Sequence, residues 1–230
     1  MDARIENKIK YYLGRIKMEL QYNYSNWFGN WFQVLISILF FTTFIVAFVK
    51  PIRKRDWRNL GLYEAFIISL FTEMFGVPLT IYILSSFFGL PLTVNPLHGH
   101  LFAALLAIVG IWDLEIGVTI VMVVSIFMLL LASYLIMTGW YKIYSARGGL
   151  VIDGIYGIIR HPQYLGIILG TAAFLIQWPT IITVIMWPIL TYAYYKQAKI
   201  EEQEMEEKYG EKYLQYKKIV PMFIPRFKLK

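Results

Sequence analysis

The feature that most constrains the fold is an uncharged, apolar run at residues 117–140. A helix rises about 1.5 Å per residue, so roughly 20 such residues cross the hydrocarbon core of a bilayer. Within that core every backbone N–H and C=O must find its partner inside the protein, which restricts spanning segments to helices and closed barrels. The run therefore predicts a transmembrane helix.

The composition agrees with a membrane protein. Hydrophobic residues make up 58% of the 230 positions and aromatic residues 17%, whereas soluble domains are usually about 45–50% apolar. The net charge of +7 fits Lys and Arg gathered in cytoplasmic loops and near anionic headgroups, so it does not by itself indicate nucleic acid. The chain has no cysteine, which excludes disulfides, thiolate metal ligands and a cysteine nucleophile.

Further apolar segments indicate a bundle of spans. They lie at residues 32–49, 63–90, 164–177 and 180–195. Basic residues follow two of the runs and mark cytoplasmic loops: Lys50, Arg53, Lys54, Arg55 and Arg58 after the first, and Lys142 and Arg147 after 117–140. We therefore predict an all-α fold, a polytopic membrane helix bundle of about five transmembrane helices, in a single membrane-embedded domain over residues 1–230.

Three other segments complete this prediction. Residues 1–30 are typical of an interfacial N-terminal extension, amphipathic and then aromatic. Residues 97–112 are ambiguous: the apolar run from Leu101 to Trp112 is short for a span, and the region is interpreted as re-entrant or lying at the outer interface. The strongly charged residues after 200 predict a C-terminal cytosolic amphipathic helix, with Gly210 as a possible interruption and a stripe of tyrosines that includes Tyr213.

Polar residues in or near the apolar segments are candidates for a buried carboxylate and for a metal site. Glu73 falls near the middle of 63–90, where an ionised carboxylate is costly, so it should face the protein interior or stay neutral. Functional and structural roles both remain open for it. His98 and His100 are only two ligands without an obvious third, so a loop is favoured over a metal site.

Candidate functional side chains cluster at residues 154–166, whose sequence is Gly-Ile-Tyr-Gly-Ile-Ile-Arg-His-Pro-Gln-Tyr-Leu-Gly. Pro162 suits the first turn of a helix, and the residue before a proline is disfavoured in the α region, so His161 should flank the helix start. The N-terminus of a helix attracts carboxylate or phosphate, and Arg160 adds a planar cationic fork. The alternative is an anchor at the membrane interface, where Arg and Tyr are common.

The order of motifs resembles a known family. The Arg-His-Pro stretch is followed by an apolar hairpin, then by Glu201-Glu202, Tyr209-Gly210 and Val220-Pro221. This order resembles the isoprenylcysteine carboxyl methyltransferase and phospholipid methyltransferase superfamily of integral membrane enzymes. The resemblance covers roughly residues 145–227. The sequence departs from it at Met222, where many relatives have Arg.

The resemblance implies S-adenosylmethionine as cofactor, bound at the cytosolic face within a core at 141–230, with variable substrate-side spans at 31–140. It implies Arg160 and Glu202 as the catalytic pair. The residues that it implies for cofactor binding are Val151, Gly154, Tyr156, His161, Pro162, Tyr164, Gly166, Glu201, Glu202 and Tyr213. It also implies membrane lipids as surroundings, a lipophilic or prenylated methyl acceptor, and no nucleic acid or metal.

Two other functions remain open from the sequence. One is an NADPH-dependent membrane reductase of the steroid-reductase type, although no Gly-rich phosphate loop supports it. The other is a non-catalytic scaffold or transporter, supported only by the carboxylates of Glu64 and Glu73 within an apolar segment.

Overall fold

The computed structural model describes residues 28–48 and 54–225, and all regular structure in those ranges is helical, as predicted. In chain order the helices are α1 (Trp31–Phe48), α2 (Lys54–Phe71), α3 (Leu79–Phe88), α4 (Pro96–Gly99), α5 (Leu101–Ile108), α6 (Leu114–Ser145), α7 (Pro162–Gln177), α8 (Ile181–Tyr209) and α9 (Glu211–Ile219). A π turn at Thr72–Gly76 and a 3₁₀ turn at Gly154–Gly157 complete the order. The predicted N-terminal extension lies almost wholly outside the described residues, as do Lys50 and Arg53.

Helix α6 contains the predicted span at 117–140. Its 32 residues give a length of about 48 Å, more than the hydrocarbon core of a bilayer requires. Only 22% of its most apolar stretch is buried, and large side chains such as Phe127, Leu130 and Met137 are exposed. The core helix of a soluble protein would bury that surface, so the exposed apolar face indicates contact with lipid.

The prediction of about five spans is not confirmed. Among the described residues, α6 is the one helix that is long and apolar enough to cross a membrane, and α2 with α3 would form a second if that bent pair is one span. The apolar helix α7 has 16 residues, about 24 Å, short of a full crossing. The number of spans stays a prediction.

The chain divides into two compact units, each assembled from separate stretches. As far as it is described, the first comprises residues 28–48, 64–118 and 178–182, and the second comprises residues 54–63, 119–177 and 183–225. In the first, Ile81, Leu92, Leu101 and Ala104 form an apolar core. The single membrane-embedded domain stays a prediction.

A sharp break separates α2 from α3. The two helices meet at 70°, after the π turn and at Pro78, whose missing N–H cannot continue a helix. Glu73, in the π turn, is only 4% exposed, and its Oε2 accepts a hydrogen bond of 2.8 Å from the backbone N–H of Thr80. A carboxylate there satisfies one of the free N–H groups in the first turn of α3. Glu73 therefore faces the protein interior, as expected.

The ambiguous region at 97–112 contains the short helices α4 and α5. Helix α5 has eight residues, about 12 Å, and cannot span by itself. Here His98 Nδ1 accepts a hydrogen bond of 2.8 Å from the N–H of Thr93, and the ring of His100 lies 5.2 Å from that of Trp178, edge to face. The two histidines thus have contacts within this part of the fold.

The apolar hairpin expected after the Arg-His-Pro stretch turns at Gln177-Trp178-Pro179, because α7 ends at Gln177 and α8 begins at Ile181. The second arm is not a short helix, however. Helix α8 continues to Tyr209, so the charged stretch after 200 is its extension rather than a separate amphipathic helix. No residue between Pro188 and Gly210 breaks a helix, and at Gly210 the positive φ of 55° ends it.

Small residues let α7 approach α6 closely. A Cβ added at Gly166 would lie 2.6 Å from Cγ1 of Ile136 and 2.8 Å from the backbone oxygen of Ala132. One turn later, a Cβ at Gly170 would make an ordinary contact of 3.5 Å with Cβ of Ala132. Close helix packing in membranes commonly depends on such small residues. The contact fixes the start of α7, and therefore the residues just before it, against α6.

These two glycines predict different responses to one added methyl group. Gly166→Ala should lower the free energy of unfolding by about 1–3 kcal/mol, because a backbone atom cannot yield. Gly170→Ala should be neutral or slightly stabilising, since Ala has the higher helix propensity. Thermal unfolding in detergent measures both. Equal effects of the two substitutions would contradict the packing described here.

Candidate functional site

Gly154 and Pro162 shape the corner at which Arg160 and His161 lie. Gly154 has a φ of 62°, which L side chains rarely adopt, and a Cβ there would lie 2.9 Å from Cε of Lys142. Pro162 is the first residue of α7, in agreement with its fixed φ and missing N–H. Arg160 and His161 therefore lie immediately before the helix, as predicted.

A short segment after α9 forms backbone hydrogen bonds with this corner. We name residues 220–222 the strap. The N–H of Arg160 donates to the carbonyl of Pro221 at 2.9 Å, and the N–H of His161 donates to the carbonyl of Met222 at 3.2 Å. The corner thus obtains its backbone partners from residues far along the chain, and its orientation depends on them.

The corner meets the acidic pair of α8 through a buried ion cluster. Arg160 Nε and Nη2 each lie 2.7 Å from Oε1 of Glu202, and His161 Nε2 lies 3.3 Å from the same oxygen. Lys217 Nζ lies 3.2 Å from Oε2. Glu202 is only 2% exposed. The predicted meeting of Arg160 and His161 with the acidic pair is therefore present in the structure.

The cluster keeps Glu202 ionised. Burial by itself raises the pKa of this carboxyl. Hydrogen bonds from His161, Arg160 and Lys217 and the charge of Arg160 outweigh that effect and lower the pKa to about 2. The charged form is therefore favoured throughout the neutral range. A carboxylate with so low a pKa is a weak base.

Glu201 has a different setting from its neighbour. The hydroxyl of Tyr164 donates to Oε1 of Glu201, and Nε2 of Gln197 lies 3.5 Å from that oxygen. His161 Nδ1 lies 3.8 Å from Oε2. The side chain of Glu201 is 36% exposed, against 3% for Glu202, so Glu201 is the carboxylate that faces solvent.

Tyrosines form a third part of the site. The hydroxyl of Tyr216 donates to the carbonyl of Tyr156 at 2.6 Å, and the hydroxyl of Tyr156 donates to Oε1 of Gln163 at 2.9 Å. Tyr213 lies beside Tyr216, with the ring centroids 5.7 Å apart. Burial raises the pKa of Tyr156, Tyr213 and Tyr216 well above the ordinary value. Their hydroxyls therefore remain neutral.

These groups surround a cavity of about 220 Å³. The lining residues share a mixed character, aromatic with a few charged groups: Ile143, Gly148, Gly149, Leu150, Val151, Tyr156, Arg160, His161, Gln163, Glu201, Met205, Lys208, Tyr209, Tyr213 and Tyr216. Such a lining can bind a polar ligand with both cationic and anionic groups, beside aromatic faces that attract a cation.

The structure divides the predicted site residues into two groups. Six line the cavity: Val151, Tyr156, Arg160, His161, Glu201 and Tyr213. Five are not among the lining residues: Gly154, Pro162, Tyr164, Gly166 and Glu202. Each of the five has a structural contact instead. For example, Gly166 packs on α6 and Glu202 holds the corner.

The sequence reasoning did not identify Lys217, Gln163 or the carbonyls of the strap. The tyrosine stripe did indicate Tyr213 and Tyr216. No spacing distinguishes Lys217 from the adjacent Lys218, because what sets it apart is the position of a carboxylate on another helix.

Comparison with known proteins finds relatives of the central part of the chain. Residues 112–212 match the family described as phospholipid methyltransferase. A curated relative, protein-S-isoprenylcysteine O-methyltransferase of Schizosaccharomyces pombe (strain 972 / ATCC 24843), is 30% identical over 77 residues, 33% of each chain. This segment is therefore similar to phospholipid methyltransferases and to an isoprenylcysteine methyltransferase.

The resemblance found in the sequence is thereby confirmed. The match spans about a third of the length of the curated relative, and no solved structure matches the chain. The segment that matches the family, residues 112–212, contains Arg160, His161, Glu201 and Glu202. Lys217 and the strap follow it along the chain.

The ion cluster predicts a pH-dependent stability. Because the pKa of Glu202 is lowered from 4.5 to about 2 on folding, its ionisation stabilises the fold above pH 4.5, and this contribution is lost as the pH falls toward 2. Glu202→Gln should therefore be less stable than the wild type at pH 6. The difference should shrink across that acidic window.

Thermal unfolding in detergent from pH 6 to pH 2 tests this expectation. The exposed Glu207→Gln, on the same helix, is the control for the loss of one carboxylate. A stability gap for Glu202→Gln that stays constant over the whole range would show that the cluster does not hold Glu202 ionised.

Proposed function

We propose that the protein is an integral membrane methyltransferase that transfers a methyl group from S-adenosylmethionine to a lipophilic acceptor. The observation that carries this proposal is the meeting of Arg160 and His161 with Glu201 and Glu202 at one cavity. It lies within a segment that matches a methyltransferase family.

The cavity residues fit the chemical groups of this cofactor. The cofactor supplies a methyl group on a sulfonium, which is already a good electrophile. His161 and Lys208 would provide donors for its carboxylate. Glu201 provides acceptors for its amine or ribose hydroxyls, and the tyrosine faces suit its cationic centre. We propose that four residues that do not line the cavity support this site: Gly154, Pro162, Tyr164 and Gly166.

Arg160 and Glu202 are proposed to act by positioning rather than by proton transfer. All three guanidinium nitrogens of Arg160 are engaged: two with Glu202, and the third with the carbonyls of Lys217 and Val220. Glu202 has too low a pKa to remove a proton efficiently at neutral pH. Alignment of the two reactants and exclusion of water are then the main sources of rate enhancement.

The weak basicity of Glu202 bears on the choice of acceptor. An amine or a thiol must lose a proton on methylation, whereas a carboxylate arrives ionised and needs no base. A carboxylate acceptor on a lipophilic or prenylated molecule therefore fits the site best. The curated relative is named for O-methylation of an isoprenylcysteine. A lipid acceptor that carries an amine would have to use Glu201 or His161.

We further propose that the protein crosses the membrane several times, with the cavity on the cytosolic side. Lys142, Lys208 and Lys217 lie at or near the cavity, and basic residues accumulate on the cytoplasmic side of membrane proteins. The polar cofactor would then enter from the cytosol, and the acceptor from the bilayer.

Binding of S-adenosylhomocysteine to the detergent-purified full chain tests the assignment. We expect calorimetry to show binding by the wild type, and Arg160→Ala to weaken it about tenfold or more, because Glu202 loses its main partner. Arg147→Gln removes an exposed arginine from a nearby loop and should leave binding unchanged.

The same preparation separates the rival functions. Binding of NADPH without S-adenosylhomocysteine would favour the reductase, and binding of neither by folded protein would favour a scaffold or transporter. Membranes incubated with methyl-labelled cofactor should yield a labelled lipophilic product. An alkali-labile methyl group on that product would identify a carboxylate acceptor.

A further inference from the structure

Lys217 contacts both members of the Arg160–Glu202 pair, one through its side chain and the other through its backbone. Its ammonium lies 3.2 Å from Oε2 of Glu202, and its backbone carbonyl accepts a hydrogen bond of 3.0 Å from Nη1 of Arg160. Glu206, one turn after Glu202 on α8, lies 2.5 Å from the same ammonium. Lys217 therefore connects α9 to both members of the buried pair.

The two oxygens of Glu202 have separate partners. Oε1 faces Arg160 and His161, at 2.7 Å and 3.3 Å, while the ammonium of Lys217 lies beside Oε2. This division fixes the rotation of the carboxylate, because each oxygen faces its own cation. A buried carboxylate oxygen without a donor is unfavourable. Loss of the ammonium should therefore turn the carboxylate and loosen its hold on Arg160.

We propose that Lys217 is a positioning residue of the cofactor site, acting through Glu202 on the corner that carries Arg160 and His161. This inference rests on the proposed function, because it concerns the affinity of the cavity for the methyl donor. Lys217 itself is not among the cavity-lining residues, so its effect on the cofactor would pass through Glu202.

Lys218 offers a matched control. It follows Lys217 on the same helix, carries the same charge and is exposed. Substitution of either lysine by Met changes the net charge of α9 equally. A difference between Lys217→Met and Lys218→Met must therefore come from contact with the carboxylates rather than from general electrostatics.

The experiment measures the Kd of S-adenosylhomocysteine for the full chain in detergent, by calorimetry. Lys217→Met should weaken binding about tenfold, as expected when a buried acceptor loses its partner. Lys217→Arg keeps a cation for both carboxylates and should restore affinity to within about twofold of the wild type. Lys218→Met should leave affinity unchanged.

A double-mutant cycle separates positioning from a merely structural role. If Lys217 acts through Glu202, then Lys217→Met should cause little further loss of affinity in a Glu202→Gln background. If Lys217 only stabilises α9, the two losses should multiply.

Several results would overturn the inference. They are wild-type affinity in Lys217→Met, an equal loss in Lys218→Met, failure of Lys217→Arg to restore binding, or additive effects in the cycle. None of these results concerns the proposed function, which fails instead if the wild-type protein does not bind S-adenosylhomocysteine.

Discussion

The candidate site in the second unit is held together by one buried ion pair, Arg160 with Glu202. Removing two charges from water costs several kcal/mol for each ion, and their attraction compensates only when the geometry and the remaining hydrogen bonds are good. Here every nitrogen of the guanidinium and both oxygens of the carboxylate have partners. The pair therefore joins the corner, α8, α9 and the strap at a single point.

The neighbouring carboxylates of α8 illustrate how a helix assigns different roles to adjacent residues. Successive side chains point about 100° apart around the axis, so Glu201 lines the cavity while Glu202 turns inward to Arg160. One carboxylate stays available to a ligand, and the other stabilises the wall. A sequence motif of two glutamates does not by itself distinguish these roles.

Local chemistry made part of the fold predictable. Pro162 predicted the start of α7, the apolar segment at 164–177 predicted its end, and Gly210 predicted the break between α8 and α9. The uncharged run predicted α6. Each of these features depends on the backbone preferences or hydropathy of a few adjacent residues, which a sequence displays directly.

Other features depend on contacts between distant residues and could not be predicted in this way. The meeting of Arg160 with Glu202 was expected only from the resemblance to a family, and the bridge from Lys217 was not expected at all. The continuation of α8 through its charged stretch was also missed, because a change of composition was interpreted as a boundary. The close packing of Gly166 on α6 was likewise not expected, because it depends on Ile136 and Ala132 of a separate helix.

The strap has a consequence for how the site comes into existence. The backbone N–H groups of Arg160 and His161 bond to carbonyls of residues 221 and 222, and the guanidinium bonds to a carbonyl 60 positions later in the chain. A ribosome delivers these partners only after α7 and α8 have been made. Until then, water must satisfy the backbone N–H groups of Arg160 and His161. The cavity acquires its final shape only after the strap has been synthesised and has bound to the corner.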